Sequence, residues 1–491
     1  MAGSALSRHQ RVLLLVAMGV FMSTMDSSMI NVALPTIMET FDSTLAVTEW
    51  IVLVYLLTIT VMLLFWGDLS RYLGQGAIYG RGLLLFATGS LLCSLAPTIH
   101  LLIFFRFIQA VGASMMMAMG PALIRSVFPP EQLGHGLGQI GIATSLGLMT
   151  GPAVSGVLIR WSHWRAIFWI TVPVGVLVYL LGQRLLAAIS DGQETETESD
   201  LRKRFDRTGA LLWTVAITIT ILLTTSITSS CCTVDSAPPV LLAGAVPALL
   251  LPWAILIRYE SRTRNPILPL PLFRKRFFSM AMLSAMLSFT VLFFVLILMP
   301  FYLTRIIRLP PDRVGYVMMA VPLCVFFVAP LAGRLHDRIG ARIVATSGLA
   351  CCLAAMLLLS RLQADSRPFT IALRLAFLGF GQAMFLAPNS AAALGGVGPA
   401  QSGITSSLLA TARNMGMLLG TALAGLIFAL SFSHLTGGLD IRDFTPDDMP
   451  AFLQALHLTF GFGAFLAALG LAASWLREER TGNETTGKTG T

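Results

Sequence analysis

Asp26 stands in the middle of an apolar run at about 11–35 and is the only acidic residue well inside such a run. An aspartate at the centre of a membrane-spanning helix costs roughly 2.5–3.5 kcal/mol on insertion scales, so these groups are kept for a task or a partner. Low dielectric favours the neutral acid and a nearby cation favours the anion. A carboxyl between those influences can load and release a proton near neutral pH. Arg106, in the run at about 99–121, stays charged at any accessible pH, and when buried it needs a carboxylate, carbonyls or water. Two readings stand side by side. Arg106 tunes the proton affinity of Asp26 and transmits its protonation state, or it braces two helices. Arg374 and Arg413 share that ambiguity and have no span acid in their own half of the chain. Asn31, Gln109, Gln382, Asn389 and Asn414 are placed to line a cavity or to bridge helices, as amides in membranes often do. Met22, Met25 and Met29 flank Asp26 on one face, and Met115, Met116, Met117 and Met119 follow Arg106. Adaptable methionines and aromatic faces suit flat, lipophilic, often cationic compounds, although filling helix contacts is the plainer role for most of them. The cavity candidates are therefore Asn31, Gln109, Met29, Arg374, Gln382 and Asn389.

The elements that must position these groups are membrane helices. The 491 residues are 55% hydrophobic and 12% charged, with a mean hydropathy of +0.78. A soluble surface cannot be covered with so few charges, and the apolar runs are continuous, unlike the alternation of a barrel. The chain reads as an all-α polytopic membrane protein. Fourteen apolar segments fall at about 11–35, 48–66, 80–97, 99–121, 137–158, 166–188, 209–229, 237–257, 277–302, 314–332, 343–360, 369–389, 403–431 and 452–476. An even count puts both termini on one side. Twenty-two of the 33 basic residues lie in segments on the side of the termini and eight on the other, which places the termini in the cytoplasm. The expected division is a six-helix half at 1–188, linkers and two inserted helices at 189–276, a second half at 277–476 and a disordered tail at 477–491.

Other chemistries find no support. The six cysteines match neither a zinc site nor a disulfide framework, the seven histidines are scattered, and no nucleotide-binding loop appears. No metal and no cofactor are expected. The net charge of +9 is spread between apolar segments, so it is a topology signal and no nucleic-acid footprint.

The chain also repeats itself. Gly67-Asp68-Leu69-Ser70-Arg71 follows the second span, and Gly333-Arg334-Leu335-His336-Asp337-Arg338-Ile339-Gly340-Ala341-Arg342 follows the tenth; their glycines are 266 apart, and Arg106 and Arg374 are 268 apart. Two near-equal offsets imply two six-span halves, a transporter signature with the substrate site at their interface.

Over essentially its whole length the sequence resembles the fourteen-span drug:proton antiporter branch of the major facilitator superfamily, which includes multidrug and quaternary-ammonium efflux transporters. Met25-Asp26-Ser27-Ser28-Met29-Ile30-Asn31-Val32-Ala33-Leu34-Pro35 resembles the branch's motif on the first span. Gly333 to Arg342 resembles its loop motif, and Arg106-Phe107-Ile108-Gln109-Ala110-Val111-Gly112 that of the fourth span. Gly147-Leu148-Met149-Thr150-Gly151-Pro152-Ala153-Val154-Ser155-Gly156 resembles the antiporter motif of the fifth, and Trp164 to Pro173 the signature opening the sixth. The resemblance implies two six-helix halves with two inserted helices, alternating access, and efflux in exchange for protons across the inner membrane. It implies coupling through Asp26 and Arg106, and a cytoplasmic gate of Asp68, Arg71, Asp337, Arg338 and Arg342. It also implies that Gly147, Gly151, Pro152 and Gly156 seal the halves together. The partners expected are a small-molecule substrate, protons and the lipid bilayer, with any outer-membrane efflux partner unspecified.

The first loop departs from the motif. Read from Gly67, Arg71 occupies the aspartate's place. The register preferred here makes Asp68 the counterpart of Asp337, 269 residues away, followed by a longer loop. A dedicated exporter of one metabolite, peptide or siderophore on the same scaffold remains the alternative to a multidrug exporter, because scaffold does not decide substrate.

Overall fold

The computed structural model describes residues 7–129, 133–190, 206–231, 239–263, 266, 268–395 and 402–477, and every regular element in them is helical. Spans 1 to 6 are Arg8–Thr40, Leu45–Leu73, Gln75–Leu95, Ile99–Val127, Leu133–Trp161, and Ala166–Trp169 running on through Thr171–Ser190. Spans 7 and 8 are Arg207–Cys231 and Pro239–Glu260. Span 9 is Arg276–Phe301 closing in a π-turn at Tyr302–Ile306, and span 10 is Pro311–Met318 continued by Ala320–Ile339. Spans 11 to 14 are Ala341–Leu359, Pro368–Gly395, Ser402–Thr436 and Met449–Trp475. Thirteen of these are long and apolar enough to cross a membrane, and span 8, with 22 residues, completes the expected order. The expected tail lies, but for Arg477, outside the described residues, as does most of the linker before span 7.

Many helices outrun their apolar segments. Span 1 has 33 residues and span 2 has 29. At 1.5 Å per residue the latter reaches about 44 Å, well past a 30 Å hydrocarbon core. Hydropathy registers only the part in lipid, whereas backbone bonding continues into the headgroups. Helix starts follow local capping. Ser7 forms a capping box with Gln10, and the Thr44 and Thr98 hydroxyls accept from Val47 N and Leu101 N.

The repeat is visible in the backbone. Spans 2 and 10 begin at Leu45 and Pro311 and end at Leu73 and Ile339, each pair 266 apart. Gly74 and Gly340 follow with φ of 79° and 87°, a conformation that favours glycine, and spans 3 and 11 start at the next residue. The two turns have the same length. The longer loop expected after Asp68 is absent, and Arg71 therefore holds the place of Asp337. Asp68 lies three residues earlier, one helical turn deeper. The side chains of Asp68, Arg71 and Asp337 lie outside the described residues.

Within the first half, span 1 packs on span 5 and span 3 on span 4; in the second, span 9 packs on span 13 and span 11 on span 12. The halves meet where span 5 packs on span 10 and span 2 on span 13. Spans 7 and 8 pair with one another through the Trp213 and Trp253 rings, 5.9 Å apart, and span 7 lies against spans 2 and 13. Among the described residues three ion pairs cross between the halves, Arg160–Asp312 at 2.5 Å, Arg305–Glu39 at 3.2 Å and Arg442–Asp42 at 3.8 Å. All three lie at the end of the bundle that holds the turn between spans 1 and 2, which is closed.

Candidate proton-coupling site

Small residues bring the site's backbones together. On span 5, a Cβ added at Gly147 would strike Thr24 Oγ1, and one at Gly151 would strike Ser28 Oγ and lie 2.9 Å from Met25 O. Ser155 donates to Met29 O at 2.8 Å, and Ser28 donates to Gly147 O at 3.3 Å. This face therefore supports span 1 around Asp26, inside one half. The next strip around the same helix crosses to the other half: a Cβ at Gly156 would come 2.5 Å from Pro311 O, and one at Gly315 would strike Pro152 O. Spans 3 and 4 are equally close, since a Cβ at Gly89 would lie 2.6 Å from the Gln109 backbone. That approach puts Ser90 beside Gln109.

Arg106 and Gln109, three residues apart on span 4, share a face. Arg106 Nη1 donates to Asp26 Oδ2 at 2.6 Å and to Gln109 Oε1 at 2.6 Å, and Arg106 Nε donates to Ile51 O at 3.3 Å. Gln109 Nε2 donates to Asp26 Oδ1 at 2.9 Å and to Ser90 Oγ at 2.6 Å. The guanidinium lies 4.3 Å from the centre of the Tyr55 ring and 5.7 Å from that of Phe168, and the Tyr55 hydroxyl meets Ser23 Oγ at 3.0 Å. Asp26 and Arg106 are 3% and 0% exposed. Arg106 Nη2 has no hydrogen-bond partner among the described residues.

This geometry answers the question left open by the types alone: Asp26 and Arg106 are direct partners. Both carboxylate oxygens are occupied by donors, so protonating Asp26 removes an acceptor from a buried cation that already has one idle nitrogen. A proton thus changes the cost of keeping this cluster shut.

The other candidates separate. Asn31 and Met29 are buried on span 1, and Asn31 Oδ1 has no hydrogen-bond partner among the described residues. Gln382 exchanges bonds with Ser288, accepting from its hydroxyl and donating to its carbonyl at 2.9 Å each, while Asn389 donates to Ala281 O at 3.1 Å and accepts from Arg477 at 2.9 Å. These amides tie span 12 to span 9, and Asn389 also binds the end of span 14. Arg374 does not meet the Asp26 cluster; it donates to the carbonyls of Leu358, at 2.8 Å, and Arg361. Arg413 donates to Ser390 at 2.6 Å. Arg338 is exposed, and Arg342 lies 4.8 Å from the Trp475 ring centre. Met22, Met115, Met116 and Met119 are packed in the core with Met25 and Met29. Sequence reasoning missed Ser90, Tyr55 and the carbonyl of Ile51. A lone tyrosine in one apolar run and a serine in another were the available signals for two of them, and nothing marks a carbonyl.

Residues 16–261 and 281–491 match the family described as Major Facilitator Superfamily, and the chain belongs to it: a polytopic membrane transporter built as two related halves. A riboflavin transporter, RibZ of Clostridioides difficile (strain 630), is 32% identical over 86% of this chain and 89% of its own length. The methylenomycin A resistance protein of Streptomyces coelicolor (strain ATCC BAA-471 / A3(2) / M145) is 30% identical over 86% and 90%. The multidrug resistance protein Stp of Mycobacterium tuberculosis (strain CDC 1551 / Oshkosh) is 29% identical over 85% and 75%. With fourteen spans and resistance proteins among its relatives, the chain falls in the drug-efflux branch of the superfamily. A bacterial homolog of the human lysosomal transporter Spinster, in an inward-facing, unoccupied conformation, matches with a TM-score of 0.65 at 13% identity, covering 96% of this chain and 98% of that one. A D-xylose–proton symporter matches at 0.63 and 14%, covering 96% and 98%. At such identities the likeness concerns the fold alone.

Proposed function

We propose that this protein exports lipophilic, often cationic compounds in exchange for protons by alternating access. The observation that carries the reading is the 2.6 Å bond between Asp26 and Arg106 in a buried cluster. A cation that cannot lose its charge sits against an acid that can lose its own. Proton binding at Asp26 releases Arg106, and the freed guanidinium biases the halves toward the state in which it finds water or another acceptor. The small-residue face of Gly147 and Gly151 holds span 1 in register for this, while Pro152 and Gly156 face the opposite half. The charge asymmetry supports both termini lying in the cytoplasm and the protein crossing the inner membrane, and on that reading the closed end faces outward. Arg71 and Asp68 in one half, and Asp337, Arg338 and Arg342 in the other, form the inner gate. The partners are the exported compound, protons and the bilayer.

A second reading, a dedicated exporter of one metabolite, is favoured by the 32% identity to a riboflavin transporter. Everted vesicles separate the two. Uptake of a lipophilic cationic dye that stops when the proton gradient is collapsed supports the first reading. Gradient-driven uptake of riboflavin with no movement of the dye supports the second, and indifference of both to the gradient removes proton exchange.

A further inference from the structure

Glu49 was not among the groups picked out by type. It lies one helical turn inside span 2, is 2% exposed, and its Oε1 has no hydrogen-bond partner among the described residues. The carboxyl rests against the other half of the molecule, where a Cβ built on Gly425 of span 13 would strike both of its oxygens. No described cation reaches it. From span 1, Glu39 pairs with Arg305, and Asp26 with Arg106 of span 4. On span 13, Arg413 is bonded to Ser390, and His434 is exposed. Span 7 has no charged side chain among its described ones, and Arg81 of span 3 is exposed. On the water side, Asp440 accepts from the Leu45 backbone, and Arg442 faces Asp42 and Asp443. An ionised carboxylate this deeply buried, with one oxygen cut off from any described donor and no described cation beside it, is costly, whereas the neutral acid is much less so.

We propose that Glu49 is a proton-binding group that gates this end: the halves close here only while its carboxyl holds a proton. The inference rests on the alternating-access reading but not on Asp26 as the site of the transported proton. The proton comes from water on this side as the halves close and returns to the same side as they part. It controls the cycle without being carried across. With the closed end facing outward, external acid drives the exporter back toward the cytoplasm for its next load.

The test uses purified full-length protein with the native cysteines replaced and spin labels at Ser162→Cys and Asp365→Cys, exposed positions in opposite halves at this end. Distances are measured from pH 5 to 8 in an Asp26→Asn background, without substrate. The ratio of open to closed should rise with pH, by up to tenfold per pH unit for one proton. Adding Glu49→Gln should abolish the slope and hold the end closed. Adding Asp440→Asn, which removes a neighbouring acid whose carboxyl burial pushes up, should leave the slope in place. A slope that survives Glu49→Gln, that vanishes with Asp440→Asn, or that is absent from Asp26→Asn itself overturns the proposal. Glu49→Ala gives a second route if Glu49→Gln does not fold. It too removes the proton-binding group, so the slope should vanish, and a slope that survives would count equally against the idea. Loss of gradient-driven export in Asp26→Asn is a separate measurement, so the two readings fail independently.

Discussion

Replacing Asp26 by asparagine keeps the side chain's shape and removes both its charge and its proton. The structure says what this costs. Asp26 accepts on both oxygens, from Arg106 and from Gln109. The new amide nitrogen must face one of those donors. Gln109 cannot simply turn over, because its own oxygen accepts from Arg106 and its nitrogen reaches Ser90. Arg106, 0% exposed, keeps its full charge with only neutral acceptors around it. Removing one partner of a buried pair typically costs about 3–5 kcal/mol, against about 0–1 kcal/mol for an exposed one. Asp26→Asn and Arg106→Gln should each lower the thermal unfolding temperature of the purified protein clearly. The double variant should recover most of the loss, since no buried charge is left unpaired. Transport should behave differently. Gradient-driven dye efflux should be lost in all three, while dye–dye exchange, which needs no proton, should persist in Asp26→Asn. Additive losses of stability would refute the pair as an energetic unit, and wild-type gradient-driven efflux by Asp26→Asn would refute its role in coupling.

The two strips of span 5 should respond differently to bulk. Gly151→Leu pushes span 1 off span 5 inside one half and should reduce efflux at equal expression without favouring either state, as read by labelling at both ends. Gly156→Leu acts only where the halves touch. An overpacking cost of about 1–3 kcal/mol paid in the closed form alone should raise the open-to-closed ratio at that end by about fivefold to a hundredfold in the same labelling assay. At the proposed inner gate, Asp337→Asn should shift the population more than Asp68→Asn, because the equal turns match Asp337 with Arg71; equal shifts would restore Asp68 as the counterpart.

The count and order of the spans were legible because about 20 consecutive apolar residues have few other uses. Asp26 and Arg106 were legible because an ionisable group in such a run is rare. What escaped was set by geometry that hydropathy does not carry. Glu49 looked like the edge of a span opening at 48, yet the Thr44 cap starts the helix earlier and span 13 covers the turn that follows. The motif glycines of span 5 were expected to seal the halves together, but Gly147 and Gly151 pack on span 1 inside one half and only Gly156 reaches the other. Gly147, Gly151 and Ser155 drift slowly around the helix and stay on span 1, while Gly156 is a further 100° round and meets span 10. The register of the first loop motif was open in the sequence, and only the matching turns at Gly74 and Gly340 fix it.

Under the proposed proton exchange, the Asp26–Arg106 pair would also set which part of the proton-motive force the protein draws on. With Asp26 ionised the pair carries no net charge; with Asp26 protonated it carries one positive charge. The membrane potential acts only on net charge, by about 2.3 kcal/mol per elementary charge per 100 mV. A monovalent cation leaving on the ionised pair is matched by one positive charge returning on the protonated pair. Such an exchange is electroneutral and responds to the pH difference alone. A neutral compound leaves with no charge, so each return moves one positive charge inward and adds the electrical driving force. Arg413 rides in both directions and cancels. Collapsing the potential while holding the pH difference should therefore slow the export of neutral compounds and leave that of monovalent cations unchanged.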